Sequence, residues 1–114
     1  MIKYFDVIFS DHAKSFLDEL DSGARKKILY NIDKARFVSD PRIFKKIDQN
    51  IWEFRTRFNS VQYRLLAFWD KGDTNQTLVI ASNGLIKKSN KLPVSDMKRA
   101  FRIREEYFNQ NFEQ

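Results

Sequence analysis

The spacing of apolar residues in the first third of the chain predicts one strand followed by two helices. Residues 3–9 are rich in aromatic and β-branched side chains, which favours a strand. Ser10 or Asp11 can cap the helix that follows, since each offers a side-chain oxygen to the free N–H groups of a first turn. A Ser-Gly pair at 22–23 separates this helix from a second one, which ends before the Asp-Pro pair at 40–41. The apolar positions with helical spacing are Ala13, Phe16, Leu17 and Leu20, and then Ala24, Ile28, Ile32 and Ala35.

From residue 51 onward the apolar positions recur at every second residue, which predicts strands. Residues 51–58 and 61–69 both alternate in this way, and the intervening Asn59-Ser60 is a turn signal. Together they predict a β-hairpin. A shorter apolar run at residues 77–81 predicts one more strand.

A last helix is expected to begin near Pro93 and Ser95, because Pro is tolerated in a first turn and Ser can cap it. Residues 109–114 are expected to form a frayed tail. The predicted inner stripe of this helix consists of Met97, Ala100, Phe101, Arg104, Tyr107 and Phe108. The basic residues expected on its outer side are Lys98, Arg99 and Arg102.

These elements predict an α+β fold class. Consecutive strands joined by tight turns form antiparallel sheets, and helices cover the apolar face of such a sheet. We therefore expect an antiparallel sheet, made of the N-terminal strand and a three-stranded meander, with a helical hairpin and a C-terminal helix on one face. The length of 114 residues and the absence of a Pro/Gly-rich linker predict a single domain over residues 1–114.

Composition excludes several classes of enzyme. The chain has no cysteine and one histidine, which excludes thiol nucleophiles and His-Cys zinc sites. Neither a P-loop nor a glycine-rich dinucleotide motif is present, so no nucleotide cofactor is expected. His12, at the start of the first helix, is expected to be a surface residue. No apolar run approaches the ~18 residues of a membrane span and the start lacks a signal peptide, so we expect a cytoplasmic protein without membrane contact.

Positive charge is concentrated in the middle of the chain. Residues 1–41 carry seven basic and seven acidic side chains, whereas residues 42–104 carry fourteen basic and five acidic ones. The last ten residues carry three acidic side chains, so the net charges of the three segments are 0, +9 and −3. A small domain with such a concentrated positive surface attracts polyanions, of which RNA and DNA are the usual ones.

Several of these cations fall on one face of the predicted hairpin. Arg55 and Arg57 share a face of its first strand, and Arg64 lies on the neighbouring strand, where a short hairpin brings it near them. Arginine suits planar, two-pronged phosphate contacts, so this face is a candidate phosphate site. The alternative is a solvated face whose charges serve solubility. As a residue on a solvent-exposed face, Arg64 is expected to contribute little to stability. The neighbouring lysines are Lys45, Lys46, Lys87, Lys88 and Lys91.

Four short motifs follow one another in a recognisable order. They are residues 51–55 (Ile-Trp-Glu-Phe-Arg), the Tyr63-Arg64 pair, residues 83–88 (Asn-Gly-Leu-Ile-Lys-Lys) and residues 91–93 (Lys-Leu-Pro). In this order and spacing they resemble the RelE/HigB group of toxin–antitoxin toxins, especially its phage-derived branch, and the resemblance covers nearly the whole chain. The chain departs from the family pattern at Asn83, Leu85 and Asn50, where His, Phe and Gly are usual.

The resemblance implies a RelE/ParE-like fold and the activity of an mRNA interferase. Such an enzyme is a metal-independent endoribonuclease that cuts messenger RNA on the ribosome, by attack of a ribose 2′-hydroxyl on its own 3′-phosphate. It also implies a cognate antitoxin, which is often a small helix-turn-helix protein.

By the same resemblance, Arg55 and Arg64 stabilise the phosphate, and Lys87 or Lys88 takes part in proton transfer, since crowding by like charges favours loss of a proton. Glu53 is expected to orient an arginine rather than accept the proton. Trp52 and Phe54 alternate away from the arginines and are expected in the core. The residues expected to hold nucleic acid are Lys45, Lys46, Arg57 and Lys91.

Two other functions stay open at this level. A ParE-type toxin has the same scaffold and inhibits DNA gyrase, without any need for a nucleolytic site. A basic RNA-binding or protein-binding module with weak or lost catalysis is also compatible with Asn83, because the histidine usual there is a candidate proton carrier in some members of the family.

Overall fold

The computed structural model describes residues 2–72 and 77–113, and this part of the chain forms five strands and three helices. In chain order these elements are β1 (Asp6–Phe9), α1 (Asp11–Glu19), α2 (Ser22–Ala35), β2 (Phe44–Lys46), β3 (Trp52–Phe58), β4 (Val61–Asp70), β5 (Leu78–Lys87) and α3 (Val94–Glu113). The predicted α+β class is therefore confirmed. Strand β2 was not predicted from the sequence.

The sheet is mixed rather than purely antiparallel. Its strand order is β1-β5-β4-β3-β2, and β1 pairs with β5 in parallel, from Asp6 opposite Leu78 to Phe9 opposite Ala81. The other three pairings are antiparallel. The chain leaves β1 through the two helices and returns beside it only with β5, the last strand of the meander, so the expected all-antiparallel sheet was wrong at this edge.

Helices cover both faces of the sheet, not one as expected. The residues of β4 alternate between two apolar clusters, because successive side chains of a strand point to opposite faces. Tyr63 and Leu65 pack with α1 and α2, whereas Leu66 and Phe68 pack with Ala100 and its neighbours on α3. The sheet is thus the middle layer of three.

Both cores contain the residues that the periodicity selected, with one exchange on α3. The first two helices bury Ala13, Leu17, Ala24, Ile28, Ile32 and Ala35 as predicted. On α3, Ala100 and Ile103 are buried, while Phe101 is 37% exposed. Phe101 was therefore wrongly placed in the inner stripe, and Ile103 takes its place. The helix also continues past Phe108 to Glu113, through most of the segment where fraying was expected.

The β3–β4 hairpin has the turn that the sequence predicted. Asn59 and Ser60 have φ angles of 49° and 65°, so both central residues adopt left-handed backbone conformations. This is the geometry of the two-residue turns whose twist matches that of paired strands. It fixes the register in which Arg55 lies directly opposite Arg64.

Strand β5 is longer than predicted, because the polar residues in its middle ended the apolar run from which it was predicted. The apolar run ends at Ala81, but pairing with β4 resumes at Asn83 and continues to Lys87, and Ser82 is the extra residue of a bulge opposite Leu66 and Ala67. The Ser82 hydroxyl lies 3.1 Å from the Leu66 carbonyl oxygen and 2.7 Å from Oδ1 of Asn83. These polar side chains are satisfied inside the sheet, so they do not end the strand.

The caps of the first two helices follow from local chemistry. Of the two candidates, Ser10 caps α1, and its Oγ accepts a hydrogen bond from the Ala13 N–H at 3.1 Å. Asp21 caps α2 in the same way, accepting from the Ala24 N–H at 2.9 Å. None of the helices described within residues 2–113 is both long and apolar enough to cross a membrane.

Candidate nucleic-acid interface

Helix α3 covers only part of one sheet face, and the part of that face next to the β3–β4 turn is not covered by it. Helix α3 packs on Leu66 and Phe68, in the half of β4 that is farther from the turn. Toward the turn, the same face carries the arginines of β3 and β4, and Arg57 and Gln62 are exposed there. The expected alternation is thus confirmed: the cations lie on one face of the hairpin.

Pairing between the strands arranges these side chains in two rows. Arg55 lies opposite Arg64 in the first row, and Arg57 lies opposite Gln62 in the second. The rows are two residues apart along each strand, or about 7 Å. Pairing of Gln62 with Lys87 extends the second row onto β5. The rows border a shallow cavity of about 270 Å³ that is lined by Arg42, Arg55, Thr56, Arg57, Gln62 and Arg64.

A buried carboxylate lies between the two arginines of the first row. Glu53 is 5% exposed, and its Oε1 and Oε2 lie 3.5 Å from Nε of Arg55 and Nε of Arg64, respectively. One negative charge therefore offsets the repulsion between two guanidinium groups on neighbouring strands. This position agrees with the expectation that Glu53 orients arginine.

Arg64 forms the floor of the cavity. Its side chain donates from Nη1 to the Tyr63 carbonyl oxygen at 3.1 Å and from Nη2 to Oε1 of Gln62 at 2.8 Å. Arg64 is only 3% exposed, so the expectation that it lies on a solvent-exposed face is wrong. Burial lowers the pKa of its guanidinium; the charge of Glu53 opposes this and that of Arg55 reinforces it. The group stays cationic because the ordinary value of arginine is so high.

The other two arginines of the hairpin are free to meet a ligand. Arg55 is partly exposed, and Arg57 is exposed beside the turn. In the part of the chain that the structure describes, Glu53 approaches Nε of Arg55, and the terminal nitrogens of Arg55 and the guanidinium of Arg57 have no hydrogen-bond partner or carboxylate. Their positive charge is therefore directed to solvent and to the cavity.

Arg42 is a lining residue that the sequence reasoning missed. It lies in the loop between α2 and β2, where the Ile43 carbonyl accepts a hydrogen bond from the Arg55 N–H and so holds the loop beside β3. Asp40 accepts from Nε of Arg42 at 3.1 Å and from its Nη2 at 3.0 Å. The side-chain hydrogen bond from Arg42 lowers the pKa of Asp40 below 3.8. The only sequence signal was the Asp-Pro-Arg order, which indicates a turn rather than a site.

The lysines predicted for this site divide into two groups. In the strand register, Lys45 lies opposite Glu53 and Lys87 lies opposite Gln62, so both share the face of the arginines. Neither of them lines the cavity. Lys46 pairs with Trp52 and lies on the opposite face. Lys88 and Lys91 are exposed in the segment that joins β5 to α3. The register therefore brings Lys45 and Lys87 toward the arginines and does not do so for Lys46.

Asn83 has a structural role in this chain. Its side chain is 2% exposed, its amide nitrogen donates to the Asp96 carbonyl oxygen at 3.1 Å, and its Oδ1 faces the Ser82 hydroxyl. It thus joins β5 to the first turn of α3 and does not line the cavity. The side chain at the position of the family's usual histidine is buried beneath that helix.

Three further side-chain predictions are confirmed. Phe54 is buried and Trp52 packs against the same cluster, on the face away from the arginines. His12 is exposed on α1, which packs on that other face, so it has no place at the cavity.

The amino-acid sequence matches a known protein family. The family model described as phage derived protein Gp49-like (DUF891) matches residues 15–105, and the chain belongs to this family. It is a family of RelE-like toxins of toxin–antitoxin systems, and membership implies a cognate antitoxin as partner. No curated protein matches the sequence in a direct comparison.

Proposed function

We propose that this protein is the toxin of a toxin–antitoxin module and cuts messenger RNA on the ribosome, as a member of the HigB-type branch. The observation that carries the proposal is the first arginine row. Arg55 and Arg64 face each other across neighbouring strands, with Glu53 between their Nε atoms. Guanidinium groups fixed in this way form a preorganised site for a phosphate that gains charge during reaction.

The reaction is an internal transfer of the phosphodiester. The 2′-oxygen forms a bond to the adjacent phosphorus while the bond from phosphorus to the departing 5′-oxygen breaks. The 2′-hydroxyl loses a proton and the 5′-oxygen gains one, so the step is balanced without water or a metal ion. Arg55 and Arg64 would neutralise the charge on the crowded phosphate, which is commonly the largest single contribution to such catalysis.

Proton transfer is assigned to a lysine of β5. Lys87 shares the face of the arginines and pairs with Gln62, whereas Lys88 follows the end of the strand. This favours Lys87 over Lys88. Glu53 is a poor candidate for the base, because it is buried between two arginines. Lys45, Arg57 and Lys91 would hold the RNA on either side of the reacting phosphate.

The family membership supports a cognate antitoxin, which we propose to be a small helix-turn-helix protein. A positive cavity that must be kept from RNA is best covered by a partner with carboxylates at the contact. Complex formation would then block the same arginines that bind the message.

A purified translation system with a reporter message tests this function. The wild-type protein should cut the message only when ribosomes are present. Arg55→Gln should slow cleavage about 100-fold, the usual cost of losing one donor to the reacting group. Arg102→Gln, on the exposed side of α3, removes the same charge away from the cavity and should leave the rate unchanged.

Two outcomes would count against the proposal. An intact message at saturating wild-type protein would exclude the nuclease. Inhibition of gyrase supercoiling by the wild type and Arg55→Gln alike would favour the ParE-type alternative.

A further inference from the structure

The cavity offers more positive charge than one reacting phosphate requires. Arg55 and Arg64 form one row, and Arg57 stands in a second row about 7 Å along the strand. Arg42 approaches the cavity from a separate loop, beside β3. Among the described residues, two carboxylates contact these four arginines: Glu53 lies beside Arg55 and Arg64, and Asp40 binds Arg42.

Arg42 is exposed but held in one orientation. Its side chain is 87% exposed, and the Asp40 carboxylate that binds it is only 14% exposed. Asp40 also accepts a hydrogen bond from the backbone N–H of Arg42 at 2.9 Å. The two side-chain contacts to this carboxylate reduce the conformational freedom that a long surface side chain would lose on binding an anion. The Nη1 nitrogen takes no part in these contacts and stays available.

From this arrangement, and resting on the proposed function, we infer that Arg42 binds an RNA phosphate next to the one held between Arg55 and Arg64. The cavity then spans two consecutive phosphates of a single strand. Arg42 and Arg57 contact the outer phosphate, and Asp40 keeps Arg42 in position. Arg42 is a binding residue in this assignment and does not touch the reacting atoms.

Binding of a non-cleavable RNA tests the inference without any need for catalysis. A short, fluorescently labelled single strand with every 2′-hydroxyl methylated is titrated with protein at several salt concentrations. Each phosphate contact to a single strand contributes about 0.7 to the slope of log K against log salt, so Arg42→Gln should reduce the slope by about that amount. Arg42→Lys should restore the slope but bind more weakly, because lysine cannot make the two-pronged contact with Asp40.

Lys46→Gln is the matched control. Lys46 is an exposed cation on the neighbouring strand β2, but its register places it on the opposite face. This variant loses the same charge and should keep the wild-type slope. An equal fall for Lys46→Gln and Arg42→Gln would mean that only the overall charge matters, and the inference would be overturned.

Short ligands locate the contact. A 2′-O-methylated dinucleotide with one internal phosphate should bind wild type and Arg42→Gln equally in an NMR titration, because Arg55 and Arg64 hold that phosphate. A trinucleotide with two phosphates should bind Arg42→Gln more weakly than wild type. Equal binding of the trinucleotide would overturn the assignment of Arg42 to a second phosphate.

The results also separate this inference from the proposed function. A wild type that binds RNA through Arg42 but cuts no message supports the inference and contradicts the nuclease. A wild type that cuts the message while Arg42→Gln binds and titrates normally contradicts the inference alone. A wild type that binds no RNA contradicts the inference, and the cleavage assay then decides the proposed function by itself.

Discussion

Glu53 determines how two arginines coexist in the sheet. The side chains of Arg55 and Arg64 share a face and lie directly opposite each other, where like charges repel. The carboxylate of Glu53 reaches the Nε of both, each at 3.5 Å, and is itself removed from solvent. Because Glu53 and Arg64 are both buried, each depends on its neighbours for its charge to remain in place.

This dependence predicts strong coupling between Glu53 and Arg64. Arg64→Ala leaves a buried carboxylate with one partly exposed partner and should lower the free energy of unfolding by about 1–3 kcal/mol. In a Glu53→Gln background the same substitution should cost less, with a coupling energy of about 1 kcal/mol in a double-mutant cycle. Urea unfolding of the wild type, the two single variants and the double variant measures this coupling energy. Strictly additive losses of stability would show that the two side chains act independently.

At the residue scale, the sequence predicts which arginines share a face but not what surrounds them. Alternation and the Asn59-Ser60 turn were sufficient to bring Arg55, Arg57 and Arg64 together. The burial of Arg64 depends on neighbours contributed by β3, β5 and its own strand, and periodicity carries no information about such neighbours. Arg42 lies in a loop, where no repeating pattern assigns a side chain to a face.

Strand β5 and helix α1 are packed at a glycine. A Cβ built on Gly84 would lie 2.2 Å from Cδ2 of Phe16, much closer than two carbon atoms can approach. Phe16 is a partly buried residue of α1 that packs against the core on this side of the sheet. The glycine therefore allows the helix to lie close to the strand that carries Lys87.

Gly84→Ala should destabilise the protein because the Phe16 ring or the helix has to move. Overpacking of this kind typically costs about 1–3 kcal/mol. Gly72→Ala is the control, because its Cβ would lie 3.0 Å from Oδ1 of Asp70, outside the apolar core, and it should change stability less than Gly84→Ala. Thermal unfolding of both variants checks this, and equal midpoints would show that α1 adjusts without cost.

At the element scale, the sequence was least informative where strands depend on distant partners. Strand β2 has three residues, two of them lysines, and is a strand only because it pairs with β3. The second half of β5 is polar at Ser82 and Asn83, which ended the apolar run that predicted it. The pairing of β1 with β5 joins residues about seventy positions apart, and local patterns cannot specify such a contact.

Acidic residues are placed where they join elements outside the positive face. Asp6 of β1 binds Lys3 at 2.9 Å and Arg36, just after α2, at 3.1 Å. Arg36 also binds Asp33, and its Nε donates to the Phe5 carbonyl oxygen. Four charged residues of the neutral first segment thus pair with one another, whereas Asp40 of that segment pairs with Arg42. The excess of positive charge in the sequence lies in residues 42–104.

The pairing of Asp6 predicts an acid-dependent part of stability. The hydrogen bond from Lys3 is the largest cause of the lowered pKa of Asp6, and Arg36 adds to it. A carboxyl group whose pKa is lower in the folded state than in the unfolded state stabilises the protein at pH values above its ordinary pKa of 3.8. This stabilisation is lost as the pH falls through the pKa of the folded state. Asp6→Asn should therefore be less stable than wild type at neutral pH, and the stabilities of the two proteins should become equal at about pH 2.

Urea unfolding midpoints across this pH range measure the difference. Asp18→Asn removes an exposed carboxylate on α1 that has no ion pair in the described residues, and it should follow the wild type throughout. A difference between Asp6→Asn and wild type that stayed constant down to the lowest pH would assign the effect to something other than ionisation.

The recessed position of Arg64 has a kinetic consequence. Salt screens exposed charges such as Arg57 and Lys45 strongly, because water and ions surround them, but it screens a buried cation much less. Rising ionic strength should therefore slow the arrival of a phosphate far more than it shortens the time that a captured phosphate stays in place.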